Sequence, residues 1–229
     1  LYQEYSVHVS RNSSEVINSI ITKTSAVASG IFLPTLQLMS SGILFIGIMS
    51  ALFVINAEVA ISASVGFGII YWVIIYFTRV RLKKNSQLIA KNSTLMVKSL
   101  QEGLGGIRDV LLDSTQNYYS ELYRDADIPL RRAMAGNTFI GGSPRYAMEA
   151  IGVAMIAIFA CIITLQDDGI AGAIPVLGAL ALGAQRLLPA LQQSYASYSA
   201  IKGSQASFDD VLVLLNQPLP KYFIQSPLE

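Results

Sequence analysis

Two arginines lie in or beside long apolar stretches of this sequence, where a charged side chain is energetically costly. Arg186 falls about 17 residues into the last such stretch, roughly 25 Å along a helix. Arg145 opens the stretch before it, and Glu149 stands four residues on as a candidate ion-pair partner. A charge inside a membrane-spanning helix predicts a functional site, and a guanidinium fork suits phosphate oxygens. Two interpretations stay open: the arginines bind an anionic group, or they mark the inner headgroup boundary.

Polar side chains form one face of the helix that carries Arg186. This face includes Gln185, Gln192, Gln193, Ser194 and Tyr195. Amides and hydroxyls in such positions either line a cavity for a ligand rich in hydroxyl groups or form hydrogen bonds between helices. The predicted ligand-binding residues are Arg145, Arg186, Gln185 and Gln192.

Other chemistry has little support in the sequence. The chain has one histidine, His8, and one cysteine, Cys161, so they cannot supply a metal-ligand cluster or an internal disulfide. Asp167 and Asp168 fall in a short turn, where they are expected to end one helix and cap the next. The chain also lacks the G-x-x-x-x-G-K-S/T pattern that cradles nucleotide phosphates. At a net charge of +1, nucleic acid is not an expected partner.

The elements that would position these residues are apolar helices. Hydrophobic residues make up 52% of the chain and charged residues only 14%, which favours an integral membrane protein over a soluble core. Four stretches approach the length that a helix needs to cross the bilayer. The fold class is therefore predicted to be an all-α membrane bundle. The predicted spans are residues 31–55, 59–78, 146–165 and 170–191.

The basic residues fix the orientation of these spans. Neither short turn between paired spans contains a lysine or arginine, whereas basic residues follow the second span directly and precede the third. By the positive-inside rule, residues 79–145 are cytosolic and both turns are external. Residues 1–30 and 192–229 then lie in the cytosol as well, and the expected location is the inner (plasma) membrane.

The cytosolic part is too large and too helical for an ordinary loop. No proline occurs between Pro34 and Pro129, so a helix of about 45 residues, roughly 65 to 70 Å, is expected to begin near Val59 and continue far past the membrane. Three glycines, Gly103, Gly105 and Gly106, then either bend the chain or allow a close helix contact. Residues 113–115 interrupt the returning helix and offer a cap for a short new one. Near the amino end, Asn12 and Glu15 have capping-box spacing.

Three stretches together resemble the transmembrane domain of ABC exporters. They are HVSRNSSEVINSI, LQEGLGGIRDVLLDSTQNYYSELY and LGALALGAQRLLPALQQSYASYSAIKGSQASFDDVLVLLNQP. The second stretch and the RLLPALQQ element are most similar to the subgroup that flips lipid-linked oligosaccharides or exports polysaccharides. With the spacing of the spans, the resemblance covers nearly all of the chain. It identifies residues 1–217 as part of such a domain, and residues 218–229 as a linker toward a nucleotide-binding domain.

The resemblance implies that short cytosolic helices transmit force from ATPase domains. Coupling loops are expected at about residues 9–17 and 103–123, with coupling helices at 11–16 and 113–119. Tyr118 and Tyr119 would anchor in a groove of the ATPase, because aromatic side chains are common interface anchors. The alternative is that both pack on a neighbouring helix. The coupling residues implied are Arg11, Asn12, Ser13, Glu15, Asp113, Ser114, Gln116, Tyr118 and Tyr119.

The same resemblance implies the missing parts and the cargo. ATP and Mg would be bound by a nucleotide-binding domain that follows in the same polypeptide, so this chain by itself has no ATPase site. The chain is expected to be a fragment that lacks the first transmembrane helix and most of the second, and to work as a dimer with a second copy or a homologue. The cargo would be a lipid-linked oligosaccharide held by Arg145 and Arg186. The alternatives are an exporter of lipid, peptide or drug, and a scaffold or channel without an ATPase.

Overall fold

The computed structural model of the chain describes residues 13–55, 57–164 and 169–216. Within these ranges almost every residue is helical and no strand occurs, which confirms the all-α fold class. Two π-helical segments, Ser19–Lys23 and Ala28–Phe32, interrupt the first helical stretch. The α-helices are α1 (Ser13–Asn18), α2 (Thr24–Val27), α3 (Leu33–Ile55), α4 (Ala57–Gly105), α5 (Ile107–Leu112), α6 (Gln116–Gly142), α7 (Pro144–Thr164) and α8 (Gly169–Leu215).

The chain divides into two compact units. Among the described residues, unit 1 contains 13–29, 83–135 and 204–216. Unit 2 contains 30–55, 57–82, 136–164 and 169–203. Unit 1 therefore collects segments that the charge pattern predicts to be cytosolic, while the four predicted spans fall in unit 2.

Helix α4 has the unbroken length that the lack of proline predicts. It contains 49 residues, from Ala57 to Gly105, and begins and ends slightly beyond the predicted limits. Helix α6 ends at Gly142, and α7 begins at Pro144, after one turn residue. Proline suits the first position of a helix because its missing N–H would have no helical partner there.

Unit 2 exposes large apolar side chains that a water-soluble unit would bury. Leu36, Ile43, Trp72 and Phe77 are each more than half exposed. Two helical stretches, Ser13–Val54 and Ser64–Gly105, are long and apolar enough to cross a membrane. Only 17% and 6% of their most apolar windows are buried, so neither has the burial of a soluble core helix. The third and fourth predicted spans fall in α7 and α8, where the side chains of residues 162–177 lie outside the described part.

Small residues allow the helices of unit 2 to approach closely. A Cβ built on Gly183 would lie 3.2 Å from a methyl carbon of Leu52, and one on Gly152 would lie 3.0 Å from both methyl carbons of Leu188. Membrane helices depend on such close packing because lipid tails are as apolar as the side chains, so the hydrophobic effect does not drive the helices together. The buried apolar cluster is correspondingly small. Its members are Met49, Leu52, Ala60 and Leu187.

Replacing Gly152 by leucine should destabilise the protein, because the new side chain must enter space that Leu188 already fills. Overpacking of this kind costs about 1 to 3 kcal/mol. The matched control is Gly42→Leu in α3, where no heavy atom lies within 4 Å of the added Cβ. Thermal unfolding in detergent should give a lower midpoint for Gly152→Leu alone. Equal midpoints for the two variants would contradict the α7–α8 contact.

Candidate coupling surface and ligand-binding residues

The three predicted hinge glycines occupy different environments. Gly103 lies inside α4, where an added Cβ would sit 3.4 Å from the ring of Tyr119. Helix α4 ends at Gly105, and Gly106 adopts φ −101° and ψ 26°, outside the helical region. The chain therefore bends at Gly105 and Gly106. Gly103 instead allows a close helix contact, which was the alternative interpretation.

A turn interrupts the helices at residues 113–115, where the sequence predicts a break. Ser114 has a φ of 55°, the only positive φ among described residues other than glycine. This left-handed conformation is costly for a side chain with a Cβ. The backbone N–H of Thr115 donates to the carbonyl of Val110 at 3.0 Å, which closes the turn. The left-handed residue prevents α5 and α6 from forming one continuous helix.

No separate short helix forms at residues 113–119, where the second coupling helix is predicted. The short helix is α5, Ile107–Leu112, and it precedes the turn instead of following it. Asp113 closes α5 as its C-cap, whereas the sequence pattern predicts that aspartate or serine here caps the start of a new short helix. Gln116 then begins the 27-residue helix α6. The short helix begins directly after Gly106, which is its N-cap. The glycines at 105 and 106 were the sequence signal for this start.

The two tyrosines that follow the turn face different surroundings. Tyr118 is 63% exposed, whereas Tyr119 is partly buried and packs on Gly103 of α4. Their rings meet edge to face, with centroids 5.4 Å apart and an interplanar angle of 84°. Tyr119 thus follows the alternative interpretation, packing on a neighbouring helix. Tyr118 presents its ring to the outside.

Four apolar side chains that precede Tyr118 in the sequence are also exposed. We call the tip surface the set formed by Leu104, Ile107, Leu111, Leu112 and Tyr118. Their exposed fractions run from 46% to 72%. A groove of about 270 Å³ opens between α4, α5 and α6. Its lining includes Leu100, Leu104, Ile107, Tyr119 and Tyr123. An apolar surface beside a groove, in a unit built largely of polar helices, is typical of a protein-binding site.

The first predicted coupling segment is described only in part. Arg11 and Asn12 lie outside the described residues, so the capping box that Asn12 would start is not described. Helix α1 contains Ser13 and Glu15, both exposed, while Ser14 between them is only 1% exposed. Glu15 stands in the first turn, where a carboxylate interacts favourably with the helix dipole.

Three residues of the polar face on α8 form hydrogen bonds between helices. The side-chain amide of Gln193 donates to Gln37 at 2.8 Å, and the hydroxyls of Ser194 and Ser41 are 2.8 Å apart. The hydroxyl of Tyr195 donates to Thr78 at 3.1 Å. These bonds attach α8 to α3 and α4. For these three side chains the interhelical interpretation is correct. Their partners Gln37, Ser41 and Thr78 were missed, because a single polar residue in an apolar stretch does not reveal its partner.

The predicted ligand-binding residues of α8 have a different environment. Arg186 and Gln185 are exposed, and Gln192 is partly buried. Neither glutamine bonds to another described residue through its side chain. Leu187, next to Arg186, is only 3% exposed, so the buried and exposed faces of α8 alternate here. The arginine therefore projects away from the apolar contacts of unit 2.

Arg145 is exposed in the first turn of α7. Glu149 is exposed as well, but no ion pair joins the two side chains, so the predicted partner is wrong. An exposed i, i+4 pair is worth only a few tenths of a kcal/mol, which is too little to hold two long side chains together. The guanidinium of Arg145 keeps its donors available for another group.

The described residues contain no group of three histidine, cysteine, aspartate or glutamate side chains that could hold a metal ion. Cys161 is a free, exposed thiol on α7. His8, Asp167 and Asp168 lie outside the described residues. Among the described residues, the candidate coupling residues are mainly apolar and aromatic, and the candidate ligand-binding residues carry amide and guanidinium groups.

The comparisons with known proteins agree with this architecture. The family model described as ABC transporter transmembrane region matches residues 1–169 of the 229. No curated protein matches the chain significantly. Transmembrane regions of this family pair with nucleotide-binding domains and dimerise. The matched residues contain α3, α4 and both predicted coupling loops, and they make up well over half of the sequence. The chain therefore belongs to the ABC transporter transmembrane region family and is a membrane part of such a transporter.

Proposed function

We propose that this chain is the membrane-spanning part of an ATP-driven exporter that moves an amphipathic, anionic, lipid-linked saccharide out of the cytosol. The observation that carries the proposal is the exposed apolar tip surface of unit 1. A transporter domain without a nucleotide-binding motif needs an ATPase partner, and the tip surface has the composition of a docking site. The proposed location is the inner (plasma) membrane.

The tip surface suits an ATPase domain because it combines an exposed aromatic anchor with a groove. Interface energy concentrates in a few buried aromatic and arginine side chains. Tyr118 supplies such a ring. The ring of Tyr119 packs against it edge to face, with the two ring centroids 5.4 Å apart. The left-handed turn at Ser114 holds the start of α6 at a fixed angle to α5. ATP-driven movement of the partner would then be transmitted to α4 and α6, which continue from this turn.

The anionic cargo is supported by the guanidinium groups of unit 2. Arg145 and Arg186 are both exposed, and no carboxylate among the described residues pairs with either. A guanidinium binds phosphate oxygens through two parallel hydrogen bonds. Gln185 and Gln192 add amide groups that suit sugar hydroxyls. Two copies of the chain would place two such sets around one translocation pathway.

Truncating Tyr118 should uncouple the transporter. In Tyr118→Ala the anchor is lost, and a hot-spot side chain of this kind contributes about 2 kcal/mol or more to docking, roughly a thirtyfold change in affinity. Transport by the complete gene product in proteoliposomes should fall at least several-fold. The control is Tyr118→Phe, which keeps the ring and should retain transport. Wild-type transport in Tyr118→Ala would refute the role of Tyr118 as the anchor.

Removing Arg186 should abolish the response to an anionic lipid-linked cargo. We expect polyprenyl-pyrophosphate oligosaccharide to stimulate ATP hydrolysis by the complete gene product in nanodiscs, and Arg186→Ala to lose that stimulation. The control is Arg81→Ala, an exposed arginine near the predicted inner boundary. If Arg186 only anchors at the headgroups, the two variants should behave alike. Intact transport in the double variant Arg145→Ala/Arg186→Ala would favour a lipid, peptide or drug as cargo.

A further inference from the structure

An ion pair between a buried lysine and a half-exposed aspartate joins two distant segments of unit 1. The ammonium of Lys23 lies 2.5 Å from Oδ2 of Asp210, and the two residues are 187 positions apart in sequence. The side chain of Lys23 is only 5% exposed, whereas that of Asp210 is 45% exposed. A lysine is almost never buried to this extent without a partner. The pair therefore fixes the segment around Lys23 to the last two turns of α8.

The π-helical segment Ser19–Lys23 brings the lysine to the buried side. In a regular α-helix, a residue five positions after Asn18 would lie about 140° around the helix axis from it. Lys23 would then point to a different face of the helix from Asn18. A π turn closes its hydrogen bond over five residues instead of four. The N–H of Thr24 accordingly donates to the carbonyl of Ser19. As a result Ser14, Asn18, Lys23 and Val27 are all buried.

Three further hydrogen bonds attach the same segments to α4. The side-chain amide of Asn18 donates to the hydroxyls of Ser93 and Thr94, both at 3.1 Å. On α8, the backbone N–H of Ala206 donates to the hydroxyl of Ser86 at 2.9 Å. Helix α4 therefore acts as a common support for both partners of the ion pair. The ion pair of Lys23 and Asp210 then joins the segment around Lys23 directly to the end of α8.

The position of the pair along the chain suggests its role. Lys23 follows the first predicted coupling segment by less than two turns, and Asp210 precedes the predicted linker at 218–229 by about two turns. We propose that Lys23 and Asp210 are positioning residues that make the first coupling segment and the exit of α8 move together. This inference rests on the proposed function, since it assigns the pair a role in transmitting movement from the ATPase domain.

Substitutions can separate this role from a purely structural one. Removing one partner of a buried pair leaves an uncompensated charge, whereas an apolar side chain of similar shape is often neutral or stabilising. Asp210→Asn should therefore lower the thermal midpoint, because the ammonium of Lys23 stays buried. Lys23→Met should leave the midpoint unchanged or raise it, while the connection between the two segments is lost.

The test uses the complete gene product in nanodiscs and proteoliposomes, with two readouts. Hydrogen exchange of residues 204–215 measures whether the pair fixes the end of α8, and transport per ATP hydrolysed measures coupling. Lys23→Met should raise exchange in this segment and lower transport per ATP several-fold. The exchanged pair Lys23→Asp/Asp210→Lys should recover both at least partly. The control is Lys91→Met, because Lys91 lines the same 420 Å³ cavity as Lys23 and Asp210 and pairs with no described carboxylate.

The outcomes separate this inference from the proposed function. Unchanged exchange in Lys23→Met would show that the pair does not fix α8, whatever the protein transports. Raised exchange with normal transport per ATP would limit the pair to a structural role and leave the proposed function intact. If the complete gene product neither hydrolyses ATP nor transports, the proposed function fails and the positioning role fails with it, while the exchange result still reports the contact.

Discussion

The structure depends on one constraint: in a bilayer, backbone N–H and C=O groups must find their hydrogen-bond partners within the protein. Helix α4 meets this constraint for 49 residues without interruption. Its hydrogen bonds run through the exposed apolar segment around Trp72 and continue into the polar segment that belongs to unit 1. The break at Gly105 and Gly106 follows directly. The residue at which α4 ends therefore determines where in the sequence the tip surface lies.

Polar contacts differ in kind between the two units. In unit 2 the interhelical bonds join neutral groups, such as Gln193 with Gln37 and Tyr195 with Thr78. Such bonds contribute on average about 0.6 kcal/mol, and at most about 2, within a membrane protein, so helices can exchange them at low cost. Unit 1 contains neutral bonds too, such as that of Asn18 with Ser93, but it also contains the half-buried pair of Lys23 and Asp210, whose separation would leave the buried ammonium unpaired. This contrast is suited to a transporter, in which the spanning helices rearrange while the cytosolic segments transmit movement.

The sequence predicted the features that follow from composition and local geometry. The all-α class and the long helix α4 follow from apolar content and the absence of proline, and the break at residues 113–115 follows from its polar residues. The short helix before that break was misplaced, because serine and aspartate suit either end of a helix and only the fold shows which end they cap. Pairings distant in sequence, such as Lys23 with Asp210, were not predictable, since no local pattern marks them. The different environments of Tyr118 and Tyr119 likewise depend on Gly103, which contacts Tyr119 only in the folded chain.

The central claim is that the chain spans a membrane, with the tip surface on the cytosolic side and the turn predicted from the sequence at residues 166–169 on the other. Cysteine accessibility tests it most directly. Ser114→Cys and Asp167→Cys would be placed separately in a cysteine-free form of the complete gene product, and each would be exposed to a membrane-impermeant maleimide. In right-side-out vesicles, we expect labelling of Asp167→Cys only, and in inside-out vesicles labelling of Ser114→Cys only. Labelling of both positions from the same side would contradict the account.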